Sequence, residues 1–88
     1  MALEFDPHKD VGNIEKHGIS LARFADMDQD AALVLPAKTV KGEERFRFVG
    51  EIDGKVWVAV VTWRGGNIRV ISLRRADSRE RSAYVANP

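Results

Sequence analysis

The dipeptide Asp53-Gly54 lies between two runs of period two, "EERFRFVGEI" and "KVWVAVVTWR". A two-residue hairpin loop needs positive φ at its central residues, which Asp and Gly tolerate, so this pair predicts a tight hairpin and fixes its register. Phe48 then opposes Ala59, Phe46 opposes Val61 and Glu44 opposes Trp63. Gly65-Gly66-Asn67 predicts the next turn, into "IRVISLRR", and the result is an antiparallel meander. Phe46, Phe48, Trp57, Ala59, Val61 and Trp63 share the core face, continued by Ile68, Val70 and Ser72. The other face carries Val49, Val56, Val58, Val60, Ile71 and Leu73 toward one end and Arg45, Arg47, Thr62, Arg64 and Arg69 toward the other. A solvated second face should alternate apolar with polar, yet "VWVAVV" is apolar on both sides. Val56, Val58 and Val60 therefore need a cover, and we expect a partner protein there, with Tyr84 and Val85 of a last helix covering part.

The remaining elements follow from their punctuation. "LEF" reads as a short strand. "DPHKDVGNIEKHG" reads as a helix with Asp6 as cap, Pro7 at the first position and Gly18 at the stop. Val11 and Ile14 mark its expected buried stripe, and close packing is the expected reason for Gly12. "SLARFADMDQD" predicts a second short helix capped by Ser20, with Leu21, Phe24 and Ala25 facing inward; its crowded carboxylates argue for an early stop. "AALVLP" reads as a strand. Ser78 to Val85 reads as a third helix, with Asp77 and Glu80 spaced as a capping box. The expected fold is α+β: one domain over residues 1–88, with two N-terminal helices packed on a small antiparallel meander and a C-terminal helix.

Composition narrows the function classes. At 88 residues there is room for one modest core. The absence of cysteine excludes a disulfide framework and thiolate metal sites, and two histidines make no convincing metal centre; no cofactor is expected. No apolar run approaches the roughly 20 residues that span a bilayer, and "MALEFDPHKD" lacks the pattern of a secretory leader, so a cytoplasmic location is expected. The net charge of +1 hides a polarity. Residues 1–43 hold five Lys/Arg against eight Asp/Glu, and residues 44–88 hold nine against five. Between positions 64 and 81 stand six arginines and no lysine. Planar guanidinium groups grip phosphate bidentately, so the basic half is the expected docking side for a polyanion.

Three segments, "EFDPHKDVGNIEKHGIS", "GEERF" and "IRVISLRRADSRERSAY", resemble the BrnT family of bacterial type II toxins, themselves similar in fold to the RelE-like ribonucleases. The family's opening motif falls on Asp6, Pro7, Lys9, Asn13, Lys16, His17 and Gly18, and its middle motif on Gly42, Glu43, Glu44, Arg45 and Phe46. The basic tail falls on Arg64, Arg69, Ser72, Arg74, Arg75, Arg79, Glu80 and Tyr84. Ser82-Ala83 departs from the pattern, since relatives often carry further basic residues there. The resemblance implies an endoribonuclease that blocks translation. It also implies neutralisation by a BrnA-like ribbon-helix-helix antitoxin, two copies of each chain, with operator DNA bound only through the antitoxin.

Metal-free RNA cleavage needs a base for the 2′-hydroxyl, a stabiliser for the phosphorane and an acid for the leaving 5′-oxygen. Arginine suits the middle task, and the register puts Arg64, Arg69 and Arg45 on one face near one turn. His17 is the candidate for proton transfer, against a simpler role capping the first helix. Glu44 is a further possible base, or an ion-pair partner of an arginine. Arg47, Arg74, Arg75 and Arg79 are expected to bind RNA. Trp63 either stacks a base or belongs to the core. Arg74 and Arg75 point to opposite sides of a strand end. The competing reading is a non-catalytic module that binds RNA or protein.

Overall fold

The computed structural model describes residues 2–86. Three two-residue turns shape its sheet. Lys41-Gly42, Asp53-Gly54 and Gly65-Gly66 all have positive φ at both positions, the geometry that matches the twist of the strands they join. They link β2 (Leu33–Val40), β3 (Glu43–Ile52), β4 (Lys55–Arg64) and β5 (Asn67–Arg75) into the meander. The first of these turns escapes the sequence reading, because Lys41 is not a usual residue for positive φ. A short β1 (Leu3–Glu4) adds to β5 in parallel, so the order is β1-β5-β4-β3-β2 and the edge is mixed.

The hairpin register around Asp53-Gly54 is the expected one, with Phe46 opposite Val61 and Phe48 opposite Ala59. Between β4 and β5 it shifts. Val61 pairs with Val70, but Val60 pairs with Ser72, so Ile71 is an extra residue. This bulge reverses the parity of the strand beyond it. Leu73 therefore enters the core beside Ala59, whereas Ser72 joins Val60 on the second face, the reverse of the expected arrangement. Arg75 now pairs with Trp57, with its guanidinium 5.4 Å from the indole ring centre, and Arg74 pairs with Val58.

The N-terminal layer holds one α-helix rather than two. α1 (Pro7–His17) has the expected caps: Asp6 accepts from the His8 amide at 2.9 Å, and Gly18 closes the helix at φ 72°. The second segment is a 3₁₀ helix, Leu21–Asp26, capped by Ser20. Its three residues per turn point Leu21 and Phe24 into the core and leave Ala25 exposed, and a buried Met27 follows. Phe24 meets Phe48 edge to face at 5.5 Å between ring centres.

α1 turns a polar stripe inward. Val11 and Ile14 are 58% and 46% exposed, while Asn13 is buried and Asp10 and His17 are half-buried. The reason is what α1 packs against. Asn13 accepts from the Leu73 amide at 3.2 Å and donates to the Leu73 carbonyl at 2.9 Å, replacing the strand that β5 lacks beyond β1. Asp10 accepts from the Leu21 amide and the Ser20 hydroxyl, satisfying the start of the 3₁₀ helix. Backbone groups at a sheet edge and a helix end need polar partners, so apolar periodicity misleads here. Gly12 has nothing within 4 Å of where a Cβ would stand; the close approach is at Gly50, where a Cβ would lie 2.9 Å from the Met27 side chain.

α2 (Ser78–Ala86) lies on the second face. Val49, Val58 and Ala76 form a buried cluster there, flanked by Leu33, Leu35, Val56 and Tyr84. Part of the expected cover thus comes from the chain itself: Val58 is fully buried and Val56 and Val60 are half-buried, while Val85 is exposed rather than part of the cover.

Candidate active site at the arginine end of the sheet

On the second face the strands present Arg47 from β3 and Arg74 from β5 beside Val60 and Val58, and past the valines Arg45 from β3, Thr62 and Arg64 from β4 and Arg69 from β5. These arginines divide into two groups, each organised by one glutamate.

Glu80 organises the first. It is 8% exposed and accepts from both terminal nitrogens of Arg74 at 2.8 Å, from Arg47 at 3.4 Å and from the Asp77 amide at 2.9 Å. Its own amide donates to Asp77 at 2.8 Å, so the capping box is complete and reciprocal. The bidentate bond from Arg74 outweighs the cost of burial, and with the Asp77 amide and the charges of Arg74 and Arg47 it holds the Glu80 carboxyl at about 2. Arg74 and Arg47, both expected to bind RNA, are also bonded to Glu80 and so tie α2 to the sheet, with about a third of each side chain exposed.

Glu43 organises the second. It starts β3 directly after the Lys41-Gly42 turn, and continuing the β3–β4 register along the sheet brings it across from Arg64. Arg64 Nη2 donates to Glu43 Oε2 at 2.8 Å, and Arg45 lies 3.9 Å away. The hydrogen bond from Arg64, and then the charges of Arg64, Arg45 and Arg69, hold the Glu43 carboxyl below the usual carboxylate range. Arg69 reaches Glu4 of β1 at 3.7 Å. Access differs within the group: the Arg64 side chain is 51% exposed, that of Glu43 28%, and those of Arg45 and Arg69 23% each. A cavity of about 210 Å³ lined by Pro36, Ala37, Thr39, Glu44, Arg45 and Phe46 opens beside Arg45. Below the rim Thr62 is buried, donating to the Glu44 carbonyl at 2.8 Å.

The structure therefore brings Arg45, Arg64 and Arg69 together and leaves other candidates apart. His17 belongs to the α1 layer, and among the described residues no hydrogen bond or ion pair joins it to these arginines. Trp63 is 46% exposed, one residue from Arg64 but with the parity of the opposite face. Arg79 is exposed on α2, and Arg75 lies over Trp57 toward the other end of β4. Glu44 is exposed and has core-face parity, away from the arginines. Glu43 is the residue that strand reasoning passed over, although the register pairing Glu44 with Trp63 also pairs its neighbour with Arg64. Among the described residues no group of three or more His, Asp or Glu side chains could hold a metal ion.

The sequence profile of the family described as "Ribonuclease toxin, BrnT, of type II toxin-antitoxin system" matches residues 5–80. The chain is also similar to a solved structure described as the "1.1 Angstrom-resolution crystal structure of the Brucella abortus ribonuclease toxin, BrnT". The two share 29% identity with a TM-score of 0.73, over 89% of this chain and 99% of that one. Among curated proteins there is no match.

Proposed function

The chain belongs to the BrnT family of ribonuclease toxins of type II toxin-antitoxin systems, and from that premise we propose that it is a metal-independent endoribonuclease whose cleavage of RNA blocks translation. The observation that carries this reading is the convergence of Arg45, Arg64 and Arg69 on one end of the sheet, with Arg64 half-exposed there. Three fixed positive charges suit the phosphorane of an in-line attack by the 2′-hydroxyl, where charge builds on the non-bridging oxygens. Exposed Arg79 and Trp63 would extend the RNA-binding surface by charge and by base stacking.

A type II toxin has a protein antitoxin. We propose a BrnA-like ribbon-helix-helix partner, two copies of each chain in the complex and operator DNA held through the antitoxin, all in the cytoplasm. The resemblance supports this reading, together with the fact that no helix of the described residues is long and apolar enough to cross a membrane. α2 buries Val58, so an antitoxin contact on the valine face would fall on Val56 and Val60, which remain half-buried.

The test uses the purified chain freed of antitoxin, mixed with RNA in buffer containing a chelator, with and without ribosomes. Cleavage is expected, with a loss of about 100- to 1,000-fold in Arg64→Ala. Salt-sensitive RNA binding without cleavage products under either condition would favour the non-catalytic module instead.

A further inference from the structure

We propose that Glu43 is the general base of the cleavage reaction, an inference that rests on the ribonuclease reading above. An arginine cluster stabilises the phosphorane but cannot take a proton at neutral pH, because its guanidinium groups stay charged. The base must therefore be a titratable group already within the cluster. Glu43 is hydrogen-bonded to Arg64 at 2.8 Å and lies 3.9 Å from Arg45. Its rivals are placed less well. Glu4 touches only Arg69, at 3.7 Å from the β1 edge; Glu44 carries the other face's parity; His17 belongs to the α1 layer.

The Arg64 guanidinium gives the geometry its use. Among its nitrogens Nη2 alone is bonded within the protein, which leaves Nε and Nη1 on a half-exposed side chain. A scissile phosphate held by either of those nitrogens would lie within one guanidinium's width of the Glu43 carboxylate, and the ribose 2′-hydroxyl adjoins that phosphate. Glu43 would accept the 2′-hydroxyl proton as the 2′-oxygen bonds to phosphorus and the bond to the 5′-oxygen breaks. The departing 5′-oxygen takes a proton from water, the hydroxide left behind recovers the proton from Glu43, and a 2′,3′-cyclic phosphate remains.

The groups facing Glu43 are Arg64 on β4, Arg45 on its own strand and Arg69 on β5, with Glu4 beyond Arg69. These cations keep the carboxylate ionised into acid solution. A base so held is weak, and its catalytic value lies in placement beside the substrate hydroxyl.

The experiment is single-turnover cleavage of a defined RNA by the wild-type chain, Glu43→Gln and Glu43→Asp, with RNA affinity measured separately. Glu43→Gln is expected to lose at least about 100-fold in rate, as for removal of a general base. Its affinity should be unchanged or tighter, since Arg64 loses a competing carboxylate. Glu43→Asp should recover part of the rate. The wild-type rate should fall in acid along a limb set below the usual carboxylate range, and that limb should be missing from the residual activity of Glu43→Gln. A Glu43→Gln variant that cleaves within about threefold of wild type, or that loses affinity alone, overturns the proposal while leaving the ribonuclease reading intact. A wild-type chain that leaves RNA whole overturns both.

Discussion

Glu80 and Glu43 each gather arginines on the same face of one sheet, by the same chemistry and with different consequences. At the Glu80 end, α2 lies over Val49 and Val58, both terminal nitrogens of Arg74 are committed, and the carboxylate is nearly out of solvent. At the Glu43 end Arg64 is half-exposed, a single nitrogen binds it to Glu43, and Arg45 and Arg69 stand close. A buried carboxylate held by Arg74, Arg47 and the Asp77 amide fixes structure, whereas a rim pair contributes little stability and keeps donors free. Counting arginines would merge the two ends; the burial and bonding of the two glutamates separate them.

Several measurements bear on that distinction. The largest effect is expected from Val58→Asp, which places an unpaired charge under α2. The cost should be about 5 kcal/mol, enough to unfold a domain of this size in a denaturant titration. A folded Val58→Asp chain would mean that α2 is not a fixed cover.

Next is Glu80→Ala, which leaves Arg74 and Arg47 without their carboxylate and removes the capping box. The loss should be about 3 kcal/mol, read as a drop of roughly 10–20 °C in thermal midpoint. Glu43→Gln should leave the midpoint where it was.

Acid sharpens the contrast. The folded Glu80 carboxyl sits at about 2, below the ordinary range of the unfolded chain, so the unfolded state binds the proton first as pH falls. Its contribution is fully present above about pH 5 and is lost as pH falls toward the folded value. Midpoints measured from pH 7 to pH 3 should fall less steeply in Glu80→Gln than in wild type; parallel curves would remove Glu80 as the buried anchor.

The smallest effect is on salt dependence. Replacing Arg64 should reduce the slope of log affinity for RNA against log salt by about 0.7–1, while replacing Arg74 should leave it unchanged.

Much of this arrangement is legible from local chemistry. Asp53-Gly54 sets the β3–β4 register, Asp77 and Glu80 announce the capping box, and the parity of Arg45, Arg64 and Arg69 follows from the turns. What escapes depends on contacts between distant segments. Nothing local marks Ile71 as an extra residue, yet that bulge decides whether Ser72 or Leu73 enters the core and sends Arg74 under α2. The inward stripe of α1 is polar because the β5 edge and the 3₁₀ helix need hydrogen-bond partners, a demand invisible in helical periodicity. Glu43 was within reach of the register itself, but a glutamate among arginines reads as charge balance until a bond and a distance set it against one of them.

The proposed division gives the chemistry to the Glu43 end and the holding of the fold to the Glu80 end. Its most direct test is a paired measurement on Arg64→Ala and Arg74→Ala: RNA cleavage rate well below the melting transition, alongside the thermal midpoint. Arg64→Ala should lose about 100-fold or more in rate at an unchanged midpoint, and Arg74→Ala should lose stability at a nearly unchanged rate. Equal loss of rate in both, with both chains folded, would contradict the division.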